Sequence, residues 1–168
     1  MIARKASVVF ALILGGAVFS WWFGEDPYAP MGTNLLLALW LILFIALEVI
    51  TFLVLGRPRK LVGVAGCLGV AIILPLGFVG GSKASTRAFN ECVAVGETVR
   101  DRLAEYRSTH GFFPGELSEL PGKLPCQRPL RGTLLEYAPR GRDSYGLHFG
   151  DWLVTHEATE KDPFMARK

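Results

Sequence analysis

LVGVAGCLGVAIILPLGFVGG (residues 61–81), followed directly by SKASTRAFNECVAVGETVRDRLAEYRSTH (82–110), is the stretch that decides how this chain folds. The first string carries no charge; the second carries charge throughout. A bilayer core about 30 Å thick takes about 20 apolar residues in a helix. Leu61–Gly81 therefore reads as a membrane span, and residue 82 as the start of a water-soluble part.

Two further apolar runs lie upstream, Ser7–Phe23 and Asn34–Leu55. Asn34–Leu55 is long enough to cross with some tilt, and Ser7–Phe23 is at the short end of the range. The first run also fits a signal peptide, because Arg4 and Lys5 form a basic start. No clean A-x-A site follows it, and Trp21, Trp22 and Phe23 resemble an interfacial aromatic anchor. The expected architecture is a membrane α-helical region, residues 1–82, with three transmembrane helices over about 7–23, 34–55 and 61–81. An exported α+β domain, residues 83–168, follows. In that domain a long amphipathic helix is expected to pack on an antiparallel three-stranded sheet.

The charges orient this arrangement. The chain of 168 residues has a net charge of +3. Arg4 and Lys5 precede the first span, and Arg57, Arg59 and Lys60 fill the link between the second and third. The Gly24–Thr33 loop holds Glu25 and Asp26 and no Lys or Arg. Positive loops stay in the cytoplasm. The N-terminus and the Gly56–Lys60 link are thus expected inside, with the C-terminal domain in the periplasm of a bacterial inner membrane. The basic excess follows from topology, so no nucleic acid is expected as a partner.

Cysteine use agrees. Cys67 lies within the third span as a small packing residue. Cys92 and Cys126 lie in the exported part, where the environment is oxidising. A bond between them would close a loop of about 35 residues, worth about 4 kcal/mol in the chain-entropy model. The alternative is two free buried thiols.

Within the membrane part, Glu48 is the one ionisable residue deep in a span, and such groups are costly and often functional. A carboxyl bonded to a neighbouring helix is the plainer alternative. Ala65 and Gly69 form a small-xxx-small pair that would let another helix approach closely, either within the chain or in an oligomer through the third span.

In the exported part, Ala88, Cys92, Val95, Val99, Leu103 and Tyr106 recur every three or four residues, the stripe of an amphipathic helix over Lys83–His110. His110, Gly111 and Pro114 end it. Leu117 and Leu120 suit one helical turn between prolines, and Gly122–Gly132 a loop carrying Cys126. Thr133–Tyr137 reads as a strand ended by a turn at Pro139–Asp143. Ser144–Phe149 and Trp152–Glu157 read as a hairpin joined by the two-residue loop Gly150-Asp151, pairing Phe149 with Trp152. After Ala158 the polar tail is expected to fray.

The string Leu103–Pro114, LAEYRSTHGFFP, followed by Leu117 and Leu120, resembles the end of the long helix in type IV pilins and type II secretion pseudopilins. The resemblance covers about Lys83 to Glu157 and implies a helix carrying an antiparallel sheet. Pilins have one N-terminal span and a processed leader; here the span leading into the helix is the third and no processing site is evident. Gly77–Gly81 would also loosen a continuous helix. The resemblance therefore implies a pilin-like headpiece and not pilus assembly.

No catalytic set is expected. His148 and His156 fall on opposite faces of the hairpin and His110 sits at a helix end, so no zinc site forms. A disulfide would consume both exported thiols. Ser82, Ser85 and Ser108 lack a nucleophile-elbow context, and no phosphate loop is present. No cofactor is implied. Arg128, Arg131, Arg140 and Arg142 gather around the first strand, as a basic patch for an acidic partner or as a solvated face interleaved with Glu136 and Asp143. Of Phe112 and Phe113, one should pack and the other offer a contact. The expected partners are the lipid bilayer and another envelope protein bound by the headpiece. The rival expectation is an accessory subunit of a transporter or channel that uses Glu48 and the small-residue face.

Overall fold

The computed structural model describes residues 2–25, 33–53, 60–151 and 153–167. Three helices come first: α1 (Ile2–Gly24), α2 (Thr33–Thr51) and α3 (Lys60–His110). A 3-10 turn at Leu117–Glu119 and six strands follow: β1 (Gln127–Arg128), β2 (Gly132–Thr133), β3 (Glu136–Pro139), β4 (Tyr145–Gly150), β5 (Thr155–Thr159) and β6 (Met165–Arg167). The chain divides into two compact units, Met1–Lys83 and Ala84–Lys168, and α3 contributes to both. Among the described side chains, one helix is long and apolar enough to cross a membrane, the part of α3 from Gly66 onward. Phe10–Gly24 and Leu39–Thr51 are shorter apolar helices. The basic link Arg57–Arg59 and Asp26 lie outside the described residues.

In the first unit α1, α2 and α3 share a small apolar core of Leu47, Val70 and Leu74, ringed by Ile13, Trp40, Leu43 and Phe44. Most other large apolar side chains point outward: Phe10 is 69% exposed, Leu76 63% and Ile42 62%. Polar groups sit inside instead, with Ser20, Glu25 and Thr51 buried. Trp40 Nε1 donates to Ser20 Oγ at 2.6 Å, and Trp21 Nε1 donates to Glu25 Oε1 at 2.7 Å.

The glycine-rich segment does not loosen α3, contrary to the sequence expectation. The helix runs through Gly77–Gly81 unbroken, and through Pro75. The missing side chains bring α1 onto α3. A Cβ on Gly77 would lie 2.8 Å from the Ala17 carbonyl oxygen, and one on Gly80 2.5 Å from the Trp21 ring. A Cβ on Gly81 would strike the Trp21 carbonyl. Gly77 and Gly81 thus form the small-xxx-small pair that is used here. Gly69 faces open space, and the side chain of Ala65 lies outside the described ones. The aromatic anchor is corrected for the same reason: Phe23 is buried against Phe78, and Trp21 lies over Gly80.

In the second unit the apolar stripe of α3 forms the core. Ala88, Cys92, Val99 and Leu103 are buried. Gly111, at φ 78°, ends the helix in the left-handed conformation. Phe113, Leu117, Leu120, Leu135, Tyr145, Leu147 and Phe149 close over the stripe. The sheet has four antiparallel strands in the order β3-β4-β5-β6, with a separate two-stranded β1-β2 ribbon, and not the three strands expected.

Four local corrections account for the difference. The expected strand Thr133–Tyr137 breaks at Leu134 and Leu135, because the Thr133 hydroxyl donates to the Pro125 carbonyl and accepts the Leu135 N–H. The expected loop Gly122–Gly132 contains β1, paired as Gln127↔Thr133. The β4–β5 connection is longer than Gly150-Asp151: Gly150 pairs with Thr155 and Phe149 with His156. Asp151 Oδ1 accepts the N–H groups of Leu153 at 2.9 Å and Val154 at 2.8 Å, which holds the wider loop closed. The register moves by an even number of residues, so the inward face is preserved. Finally, the tail does not fray. Thr159 and Asp162 exchange backbone and side-chain hydrogen bonds, the chain reverses, and Phe164 packs on Phe149 and Gly96 as β6 forms.

Candidate functional site

Cys92 is on the buried stripe of α3 and Cys126 enters from the loop before β1. Their Sγ atoms are at disulfide-bonding distance, 2.11 Å, with Cα atoms 5.3 Å apart. Cys126 has φ 63°, so the chain turns sharply there, and its carbonyl accepts the Leu134 N–H at 2.8 Å. The bond ties the β1–β2 ribbon to the helix. Cys67 is the free cysteine, donating to the Glu48 carbonyl oxygen at 3.6 Å.

The two phenylalanines separate. Phe113 is buried at 6% exposure beneath the Arg107 guanidinium, edge-on to Tyr145. Phe112 is 41% exposed. It stands beside His110 and Tyr106, whose rings stack 4.0 Å apart. Glu119 anchors this aromatic shelf: its carboxylate accepts the Tyr106 hydroxyl at 2.9 Å and the Gly115 and Glu116 N–H groups. The Tyr106 hydroxyl bond, with those N–H groups, holds the Glu119 carboxyl below the usual carboxylate range.

The four arginines do not behave as one group. Arg128 turns back onto the Thr133 carbonyl of its own ribbon at 3.2 Å, and Arg131 lies in the same ribbon's loop. Arg140 covers Gly146. Arg142 has an exposed side chain in the β3–β4 turn, while its carbonyl accepts the Phe113 N–H. One pair thus belongs to each hairpin. His148 bonds Glu136 at 2.7 Å on the outer face, while His156 stacks on Phe149 on the inner face.

A feature missed in the sequence lies along α3. An open groove of about 860 Å³ is lined by Arg100, Arg107, Phe113, Tyr145, Glu160 and Lys161, among others. Arg100 is its hub, donating to Glu97 at 2.6 Å and to the Thr159 carbonyl at 3.2 Å. Burial pushes the Glu97 carboxyl up, but the Phe164 N–H and the Arg100 guanidinium outweigh it and hold Glu97 below the usual range. Tyr145 is pushed up by burial, partly offset by Arg100. Tyr137, whose hydroxyl donates to the Pro114 carbonyl at 2.7 Å, is pushed up to about 12, chiefly by burial. The groove was illegible because Glu160 and Lys161 fall in the tail that was expected to fray.

In the first unit Glu48 is half-buried on α2. One turn later, the buried Thr51 hydroxyl has no hydrogen-bond partner. Among the described residues, no three His, Cys, Asp or Glu side chains converge as a metal site. In comparisons with known proteins, no family model, curated protein or solved structure matches this chain.

Proposed function

We propose that this is a bacterial inner-membrane protein anchored by three helices, whose pilin-like headpiece lies in the periplasm and docks another envelope protein without catalysis. The observation that carries the membrane part is the inverted first unit, with Phe10, Ile42 and Leu76 outward and Ser20, Glu25 and Thr51 inward. In water such an apolar exterior would be driven to associate; in lipid it meets hydrocarbon. Support for docking comes from the exposed shelf of Tyr106, His110 and Phe112 and from the open charged groove beside Phe113. Both surfaces combine aromatic area with fixed charge, the make-up of contact sites. Crosslinking in native membranes followed by purification tests this reading. A discrete crosslinked partner, lost in Phe112→Asp, is the expected result. Recovery of the chain only as an isolated monomer contradicts it.

A second reading, an accessory subunit of a transporter or channel, is favoured by Glu48 and the unpartnered Thr51 hydroxyl on one side of α2. On that reading Glu48→Gln changes the flux of the parent complex, and unchanged flux dismisses it.

A further inference from the structure

The groove beside Phe113 is bridged across at two points. One wall is α3; the other is made by the turn before β4 and the turn after β5. At one point Arg100 Nε donates to the Thr159 carbonyl at 3.2 Å. At the other, Arg107 Nη2 meets Asp143 Oδ1 at 3.0 Å. From Arg100 to Arg107 the helix rises about 10 Å, at about 1.5 Å per residue. That length takes about three residues of extended chain at about 3.3 Å each. Between the bridges α3 presents Ala104, whose exposed methyl group leaves room for a backbone to lie close.

The charges lining this stretch divide into engaged and free. Arg100 is held by Glu97 and the Thr159 carbonyl, and Arg107 by Asp143. Glu160 Oε2 accepts the Tyr145 N–H at 3.4 Å. Two charges are left over, Asp101 on the helix wall and Lys161 on the turn wall. Both are exposed, and neither side chain has a hydrogen-bond or ion-pair partner among the described residues. They are opposite in sign and do not meet across the groove. A ligand that satisfies both must offer a cation to α3 and an anion to the turns. An extended peptide does so with two adjacent residues, because successive side chains point to opposite sides.

We propose that the groove holds an extended segment of the partner protein in which a Lys or Arg stands next to an Asp or Glu, the basic side chain meeting Asp101 and the acidic one Lys161. The inference rests on the reading that the headpiece docks another envelope protein, and it names the kind of segment that is held. Walls of opposite sign also reject a segment whose adjacent charges are alike, because one of the two would then face its own sign.

The test uses the full chain in phosphatidylcholine nanodiscs, with empty nanodiscs as the blank. The probes are short capped alanine peptides with a central Lys-Glu, Lys-Lys or Glu-Glu pair, and binding is read by saturation-transfer NMR at low salt. The expected result is severalfold tighter binding of the Lys-Glu peptide than of either other. Asp101→Lys makes both walls positive and should turn the preference to Glu-Glu. Lys161→Glu makes both negative and should turn it to Lys-Lys. The chain with both substitutions should prefer Lys-Glu again, since a free peptide can rotate about its axis. Equal binding of the three peptides, no binding, or a preference that the substitutions leave in place overturns the proposal. Crosslinking in native membranes separates it from the docking reading, because each single substitution should also weaken the partner's crosslink. A discrete partner lost in Phe112→Asp but retained in Asp101→Lys and Lys161→Glu overturns the groove and leaves docking standing. No discrete partner in any of these chains overturns both.

Discussion

The two units follow opposite burial rules. In Met1–Lys83, Ile42, Leu68 and Leu76 face outward and Ser20, Glu25 and Thr51 face inward. In Ala84–Lys168, Leu103, Leu147 and Phe149 form the interior, while Arg142 and Asp143 are at the surface. A single physical rule covers both if the surroundings differ: each unit hides what its solvent cannot satisfy. In hydrocarbon, helices gain nothing by hiding leucine and must associate through close backbone approach and polar contacts. The first unit uses both devices, at Gly77 and Gly81 against α1 and in the Trp40–Ser20 bond. The second unit is small for its surface and adds a disulfide to an ordinary apolar core.

The difference can be broken most strongly at the disulfide. Replacing Cys92 and Cys126 by Ser should cost the second unit about 4 kcal/mol. That is about 15 °C or more in its melting temperature. Near-UV dichroism of the full chain in nanodiscs should show this loss while the helicity of the first unit persists. An unchanged melt would mean that the bond does not constrain the unit.

A steric change sharpens the comparison inside the first unit. Gly80→Val places branched atoms in the Trp21 ring and should destabilise the α1–α3 contact by about 1–3 kcal/mol. Gly69→Val faces open space and should stay within about 0.5 kcal/mol. Resistance to unfolding in mixed detergent micelles ranks the two. Equal effects would show that α3 does not meet α1 through its glycine face.

The smallest effects are expected from acid and base acting on the second unit through Glu97, Glu119 and Tyr137. Glu97 and Glu119 titrate below the ordinary carboxylate range, so the folded form binds fewer protons than the unfolded chain as pH falls. Their stabilisation is present above about pH 4.3 and is lost as pH drops through their lowered values. Glu97→Gln with Glu119→Gln should flatten the acid limb of stability against pH. Tyr137 is raised from 10 to about 12, so its contribution is present below pH 10 and lost as pH rises toward about 12. Tyr137→Phe should flatten that alkaline limb. An alkaline limb unmoved by Tyr137→Phe would contradict the burial of its ring.

How much was legible in the sequence depended on whether a signal was local. The Ala88–Leu103 stripe and the Gly111 stop are written in spacing and residue type, and each has its place in the fold; for Cys92 and Cys126 the sequence left a bond or two free thiols open, and the fold brings their Sγ atoms to bonding distance. The alternation of Tyr145, Leu147 and Phe149 gave the inward face even though the strand register moved. β6 was hidden because its support is tertiary: Phe164 is anchored by Gly96 and Glu97, far away in sequence. The role of Gly77–Gly81 was hidden likewise, because glycine reads as a helix weakness until the facing Trp21 is known. Among the candidate contacts, Phe112 and Phe113 could be named as a pair but assigned only by the fold. The arginines, alike in sequence, are divided between two hairpins by backbone partners that no spacing reveals.

The function proposed above requires the first unit to lie in lipid and the second to be exposed to an oxidising aqueous compartment. Labelling intact spheroplasts with a membrane-impermeant maleimide tests it most directly, in a Cys67→Ala chain carrying either Ile42→Cys or Arg142→Cys. The account predicts rapid labelling at 142 and none at 42, before or after the membrane is opened. Labelling at 142 that appears only once the membrane is opened, or free labelling at 42, would contradict it.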